Sequence, residues 1–182
     1  MSRKLYFVRH GQTFWNVENK ICGATDIALT PLGHEQAVQA GEAIRDANLS
    51  IDMIISSPLV RASETARHIS EITDIPMRLD ERLTEQNFGR FEGTARKGAE
   101  FLLSKEHFAD RYDGGESMLH LAQRIYNLID EIKADPERKT CLLVAHNGVA
   151  RAVESYFRTM TNHEYASFGV KNCALVTYEW DE

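Results

Sequence analysis

His10 stands where an apolar run breaks into residues that are suited to phosphoryl chemistry. It follows the run Leu5–Val8 and lies between Arg9 and Gly11. A neutral imidazole is a good nucleophile towards phosphorus, arginine offers a planar charged fork to phosphate, and glycine lets the backbone turn tightly. Because the neighbouring arginine charges disfavour protonation of the ring, we expect His10 to keep its attacking lone pair.

A second histidine, His146, also follows an apolar run, at residues 140–145, and precedes Asn147 and Gly148. Unbroken branched or aromatic runs are typical of strands covered on both faces in a mainly parallel sheet. Ligands on such sheets bind at the carboxyl ends of the strands. If the two strands are neighbours, His10 and His146 converge on one small volume, which is our central geometric prediction.

Several separated motifs resemble the histidine phosphatase superfamily, the phosphoglycerate mutase-like proteins. They occur in one order from Arg9 to about Ala152, and together they are far more specific than any one of them. The matching stretches are Arg9-His10-Gly11-Gln12-Thr13 with Asn16, Gly23-Ala24-Thr25-Asp26, Leu29-Thr30-Pro31-Leu32-Gly33 with Gln36-Ala37, Ser56-Ser57-Pro58-Leu59-Val60-Arg61-Ala62 with Thr65-Ala66, Glu85 before Phe88-Gly89 and Glu92-Gly93, Gly114-Gly115-Glu116-Ser117, and Val144-Ala145-His146-Asn147-Gly148.

The resemblance implies a phosphomonoester hydrolase that acts through a phosphohistidine on His10. It assigns the general acid and base to Glu85, and Arg9, Arg61 and His146 complete the catalytic set, with His146 donating to phosphoryl oxygens. The implied substrate-binding residues are Gln12, Thr13, Asn16, Gly23, Asn147 and Gly148. We expect no metal and no cofactor, because the arginines and His146 would neutralise the phosphoryl charge and the chain has neither a P-loop pattern nor a His-Glu-x-x-His pair.

Two of these residues have ordinary structural alternatives. Asn16 could be a turn or helix-cap asparagine. Arg61 falls in the first turn of a helix that starts near Pro58, where free backbone N–H groups already favour an anion. Its spacing does not place it on the apolar face of that helix, and a solvated surface arginine is the commoner case.

Other functions stay open at this level. The Phe-Gly-x-Phe-Glu-Gly and Gly-Gly-Glu-Ser patterns resemble the phosphatase branches of the family. The nearer alternative is a cofactor-dependent mutase that passes the phosphoryl group to a second hydroxyl. More distant ones are an idle module that binds a phosphorylated partner and an α/β interaction domain without an anion pocket. The physiological substrate and the oligomeric state are equally open.

A segment around residues 94–113 is the expected lid and specificity region. It has an amphipathic, helix-like middle near residues 101–103, and in the family this region covers the site. Its basic residues are Arg96, Lys97, Lys105 and Arg111. They could contact a second anionic group, but charged side chains usually face water, and we expect these to do so.

The elements that must position these groups alternate between strand-like and helix-like patterns. Strands are predicted at 5–8, 52–57, 75–79, 140–145 and 174–178, and helices from Thr30, from Pro58, and at 116–133, 149–157 and 162–168. The prediction is a three-layer α/β/α sandwich with a mostly parallel, doubly wound sheet. A chain of 182 residues, 43% of them hydrophobic, suits one domain over 1–182, with a frayed end at 180–182.

Charge and cysteine usage narrow the partners and the location. The 21 basic and 27 acidic residues give a net charge of -6, which argues against nucleic acid or an anionic membrane as a partner and leaves a small-molecule phosphomonoester drawn by a local basic pocket. Cys22, Cys141 and Cys173 lack a Cys-x-x-Cys pair and are predicted to be reduced. With no signal peptide expected and no apolar stretch near ~20 residues, we predict a cytoplasmic protein.

Overall fold

The chain folds around a mixed sheet in a computed structural model that describes residues 3–137 and 139–180. The strands are β1 (Lys4–Arg9), β2 (Met53–Ser56), β3 (Met77–Leu79), β4 (Cys141–Ala145) and β5 (Leu175–Glu179). Within the described residues their order is β3-β2-β4-β1-β5, and only β5 is antiparallel to its neighbour. In the β1 and β4 pair, Arg9 stands opposite Ala145, so the carboxyl ends of these strands lie side by side.

Helices cover both faces of the sheet. They are α1 (Phe14–Val17), α2 (Pro31–Asp46), α3 (Val60–Thr73), α4 (Ala99–Ser104), α5 (Met118–Ala134), α6 (Asn147–Phe157) and α7 (Asn162–Ser167). Helices α2 and α3 pack on one face, and α5 and α6 pack on the other. The predicted three-layer, mostly parallel sandwich is confirmed.

The unbroken apolar run of β1 follows from this layering. Tyr6 and Val8 pack into the core under α2 and α3, whereas Leu5 and Phe7 pack into the core under α5 and α6. All four side chains are buried, because successive residues of a strand point to opposite faces and both faces are covered.

Capping residues set most helix starts. Thr30 is the N-cap of α2 and accepts a hydrogen bond from the backbone N–H of Gly33. Pro31 follows it as the first residue of the helix, as the sequence predicts. Helix α6 begins at Asn147, two residues before the predicted start at 149, because His146 is itself the extended N-cap residue between β4 and α6. The histidine therefore lies at a strand end and a helix start together.

Trp180, the last residue that the structure describes, packs in the core. Its indole is 8% exposed, and its ring centroid lies 5.0 Å from that of Phe157. The expected fraying is wrong for Trp180, while residues 181 and 182 lie outside the described part of the chain. All three cysteines carry free thiols. No helix in the described ranges has the length and apolar character needed to cross a bilayer.

Candidate active site

His10 lies directly beyond β1 at the carboxyl end of the sheet. Its backbone N–H donates to the carbonyl of Ala145 at 2.9 Å, which continues the pairing with β4. Its ring Nδ1 lies 2.7 Å from the carbonyl oxygen of Gly11, an acceptor, so Nδ1 carries the proton and Nε2 keeps a lone pair. The ring lines a cavity of about 70 Å³.

The rings of His10 and His146 converge as predicted, with centroids 5.2 Å apart. His146 is fully buried. Its Nδ1 accepts from Nε of Arg61 at 3.2 Å, and its Nε2 lies 2.8 Å from Oγ of Ser57. Both ring nitrogens therefore already have protein partners, and in this arrangement His146 orients Arg61 and Ser57 rather than donating into the cavity.

The electrostatic surroundings keep both rings neutral. Burial is the largest cause that lowers the pKa of His10 well below its usual value, and the positive charges of Arg61 and Arg9 add to it. Burial and Arg61 likewise lower the pKa of His146. The arginine charges act in the predicted direction, but desolvation lowers the pKa of both rings more than these charges do. At neutral pH the His10 ring has the uncharged form that a nucleophile needs.

Glu85 lines the same cavity and is 5% exposed. Its Oε1 accepts from the backbone N–H of Gln86 at 2.8 Å, and its Oε2 accepts from that of Gly148 at 2.9 Å. A Cβ at position 148 would come within 2.3 Å of Oε1, so only glycine admits the carboxylate here. The N–H of Gly148 thus serves Glu85, although Gly148 is one of the residues that the resemblance assigns to substrate binding.

Arg61 is completely buried, so the solvated alternative is wrong. Its Nη1 and Nη2 donate to the carbonyl oxygens of Thr25 and Gly23 at 2.9 and 2.6 Å. The backbone N–H groups of the same loop, at Ala24 and Thr25, donate to the carboxylate of Glu92. The loop at 23–25 is thus held through its carbonyl groups by Arg61 and through its N–H groups by Glu92. Gly23 takes part through its carbonyl oxygen.

Arg9 lines the cavity. Its Nη1 donates to the carbonyl of Val170 at 2.8 Å, but its Nε is buried and has no hydrogen-bond partner among the residues described. Burial, with the charge of Arg96, lowers its pKa to about 10. A buried N–H without a partner costs free energy, so a group that accepts from this Nε would be stabilised.

The predicted substrate-binding residues divide into two groups. Those that line the cavity are Asn16, Asn147 and Gly148. The others have structural partners instead: Oε1 of Gln12 accepts from Thr30, Oγ1 of Thr13 accepts from the backbone N–H of Asn16, and the carbonyl oxygen of Gly23 accepts from Arg61. Asn16 combines both interpretations, because its Oδ1 accepts from the N–H of Thr13 in a capping box while its side chain lines the cavity.

The segment at 94–113 contributes two cations to the cavity. Arg96 and Lys105 line it, while Lys97 and Arg111 are exposed. Burial lowers the pKa of Arg96, and it lowers that of Lys105 to about 8. The expectation that all four face water is therefore wrong for Arg96 and Lys105. Phe101 of α4 anchors the segment through an edge-on contact with Phe88, 5.4 Å between centroids.

Arg151 is a cavity residue that the sequence argument missed. It is 7% exposed on α6, lines the cavity, and donates through Nε to the carbonyl of Phe168 at 3.0 Å. Burial lowers its pKa. The signal was present: a lone arginine in the apolar stretch 149–153, one helical turn after Asn147, faces the same side as that residue.

Comparison with known proteins gives one family. A family model described as the histidine phosphatase superfamily (branch 1) matches residues 5–182. A protein of Erwinia tasmaniensis called "Probable phosphoglycerate mutase GpmB" is 32% identical over 181 residues, which covers 94% of this chain and 82% of the relative.

Two solved structures extend the comparison. A mycobacterial glucosyl-3-phosphoglycerate phosphatase has a TM-score of 0.84 and 29% identity, covering 97% of this chain and 90% of its own. A phosphoserine phosphatase from Entamoeba histolytica, solved with 3-phosphoglyceric acid, has a TM-score of 0.81 and 31% identity, covering 96% of this chain and 89% of its own. These neighbours include phosphatases that act on small phosphorylated molecules.

Proposed function

The chain belongs to branch 1 of the histidine phosphatase superfamily, and from this premise we propose that it hydrolyses small phosphomonoesters through a phosphohistidine on His10. One observation carries the proposal. The His10 ring is neutral and held through Nδ1 by Gly11, so its Nε2 lone pair is available in a cavity that Glu85 also lines.

The reaction has two steps that use the same carboxyl group. In the first, Nε2 of His10 attacks phosphorus, the N–P bond forms as the ester P–O bond breaks, and Glu85 protonates the departing oxygen. In the second, water attacks phosphorus, the N–P bond breaks, and Glu85 accepts the proton of the water. The sum is one ester and one water converted to an alcohol and inorganic phosphate.

The charge of the phosphoryl group is met by the protein itself in this proposal. Arg9 lines the cavity and keeps its Nε without a partner among the described residues, and the positive charge of Arg61 lies beside His146, whose Nδ1 is 3.2 Å from Nε of Arg61. We therefore expect hydrolysis to continue in the presence of a metal chelator.

The substrate, we propose, carries a second anionic group such as a carboxylate. Three further cations line the same cavity as His10, namely Arg96, Lys105 and Arg151. One phosphoryl dianion does not balance the positive charges of Arg9 and of these three partly or fully buried residues, which favours a ligand with more than one anionic group. The neighbour from Entamoeba histolytica binds such a molecule, 3-phosphoglyceric acid.

The second candidate is phosphoglycerate mutase-type transfer, which the names of the curated relatives favour. The chemistry up to the phosphohistidine is shared, and the phosphoryl group then passes to a second hydroxyl instead of to water. Accumulation of an isomeric phosphoester without free phosphate would support this candidate over hydrolysis.

The test is a panel of phosphomonoesters, including phosphoserine and 3-phosphoglycerate, scored for released phosphate. We expect release by the wild-type protein and a phosphoenzyme that is stable to base and labile to acid. His10→Ala should give neither, and His163→Ala, which changes an exposed histidine on α7, should behave as wild type. Tight phosphate binding without turnover of any ester would contradict the proposal and support the phospho-ligand binding module.

A further inference from the structure

A second cluster of side chains with ligand atoms lies between α2 and α3. It consists of His34 from the first turn of α2 and of Glu64 and His68 from α3. One ligand atom from each residue lies within 4.8 Å of the other two, and all three side chains are partly exposed. Nδ1 of His34 and Nε2 of His68 are 3.0 Å apart. The candidate active site uses none of these residues.

We propose that His34, Glu64 and His68 form a binding site for a transition metal ion such as Zn²⁺. Glu64 and His68 are four residues apart, which places the carboxylate and the imidazole on one face of α3. Two imidazoles and one carboxylate suit Zn²⁺, Co²⁺, Ni²⁺ or Cu²⁺, whereas Mg²⁺ and Ca²⁺ favour oxygen ligands throughout.

The observed spacing is close to what a metal requires. Two nitrogens bound tetrahedrally at about 2.0–2.1 Å from zinc lie roughly 3.3–3.4 Å apart. The pair at 3.0 Å must therefore separate by only a few tenths of an ångström. For the ion to bind, the ring that donates in the N–H···N hydrogen bond moves its proton to its other nitrogen by exchange with water. Both facing nitrogens are then ligands, and both rings stay neutral. Because the side chains are partly exposed, water can take the fourth position.

Neighbouring charges orient the carboxylate ligand. Nη2 of Arg67 donates to Oε2 of Glu64 at 2.6 Å, which leaves Oε1 for the ion. Nη1 of Arg67 donates to Glu71 at 2.7 Å, so a second carboxylate offsets the arginine charge beside the site. Hydrogen-bonded partners of this kind hold metal ligands in position and tune their affinity.

A bound ion would join α2 and α3, the two helices that contact the turn at Gly11 and Gln12, directly after His10. On α2, Gly33 packs so closely that an added Cβ would lie 2.1 Å from the carbonyl oxygen of Gln12. On α3, Oγ1 of Thr65 accepts from the backbone N–H of Gly11 at 3.1 Å. We therefore expect metal binding to raise the melting temperature. The inference is independent of the proposed hydrolysis.

The experiment uses untagged full-length protein stripped with a chelator. Calorimetric titration with Zn²⁺ should give one ion per chain. Addition of Co²⁺ should produce the visible absorption bands that are typical of a four-coordinate cobalt site. His34→Ala and His68→Ala should each weaken zinc binding by at least about tenfold. Glu64→Gln, which keeps the shape of the side chain, should weaken it as well and guards against misfolding of the alanine variants.

Matched controls locate the ion. Glu42→Gln, at an exposed position two turns further along α2, and His163→Ala on α7 should retain the zinc affinity of the wild type. Cys22→Ser and His10→Ala should also retain this affinity, because both residues line the active-site cavity and neither belongs to the proposed zinc site. The inference is overturned if the wild type binds no zinc, if binding survives in the His34 and His68 variants, or if it is lost in Cys22→Ser or His10→Ala.

Discussion

The backbone N–H of Gly148 donates to Oε2 of Glu85 at 2.9 Å, across 63 positions of sequence. A Cβ at Gly148 would lie 2.3 Å from Oε1 of the same carboxylate. The first turn of α6 therefore holds the proposed acid and base in place. A glycine is needed for this contact because of the space it leaves, not because of its backbone conformation.

Gly148→Ala should displace the carboxylate of Glu85 and lower turnover, while the protein stays folded because alanine favours a helix. The check is a double-mutant cycle with Glu85→Gln. If glycine acts through the carboxylate, the double variant should turn over only slightly more slowly than Glu85→Gln alone. Full additivity of the two losses would mean that Gly148 acts on something else.

Glu85→Gln should lower kcat by ~10² to 10⁴, because the leaving oxygen loses its proton donor and the hydrolytic water loses its base. The loss should be larger for alkyl phosphates than for aryl phosphates, since a phenoxide leaves more readily without protonation. Glu81→Gln, an exposed residue of the same region, is the matched control and should leave kcat unchanged. An equal loss for both classes of leaving group would argue against the acid role.

The free energy of unfolding should fall as the pH is lowered below about 6.5. Burial lowers the pKa of His10 and His146 in the folded state, so the unfolded chain takes up protons that the folded chain does not. Each ring lowers the free energy of unfolding by at most about 1.4 kcal/mol for every pH unit between its unfolded and its folded pKa. Above its unfolded pKa the ring adds nothing to this pH dependence.

Urea unfolding across this pH range, in phosphate-free buffer, measures the effect. His146→Gln removes one of the two buried rings and should reduce the pH slope, whereas His163→Gln should not. A slope that is the same in the wild type and in His146→Gln would show that other groups dominate the acid sensitivity.

Arg96→Gln should raise KM for phosphoserine by roughly tenfold or more, as expected for the loss of a hydrogen bond to a charged group. It should change KM little for p-nitrophenyl phosphate, which has no second anionic group. Its sequence neighbour Lys97 is exposed, so Lys97→Gln is the matched control. An equal rise for both substrates would place Arg96 on the phosphoryl group instead of on the second anion.

The sequence alone predicts much of the framework. The apolar runs before His10 and His146 are strands, as predicted, and each run is unbroken because its strand is buried on both faces. Helix α2 starts with Thr30 and Pro31, also as predicted. Local patterns work here because strand alternation and helix capping depend on residues only a few positions apart.

The contents of the cavity were harder to predict. Arg96, Lys105 and Arg151 read as ordinary surface or helix residues, and only packing brings them to the same cavity as His10. Arg61 also looked exposed by helical spacing, yet the loop at 23–25 covers it completely. Whether a charged side chain faces water depends on what another segment places over it.

The amino-acid sequence by itself determined the order of the elements, the family, and the position of each of the two histidines at the end of a strand, whereas the structure shows that these two strands are neighbours. Only the tertiary structure decided that His146 is already engaged by Arg61 and Ser57, and that His34 meets Glu64 and His68. The physical reason is that periodicity encodes which side of an element is buried, whereas contacts between distant segments depend on how whole helices and loops pack together.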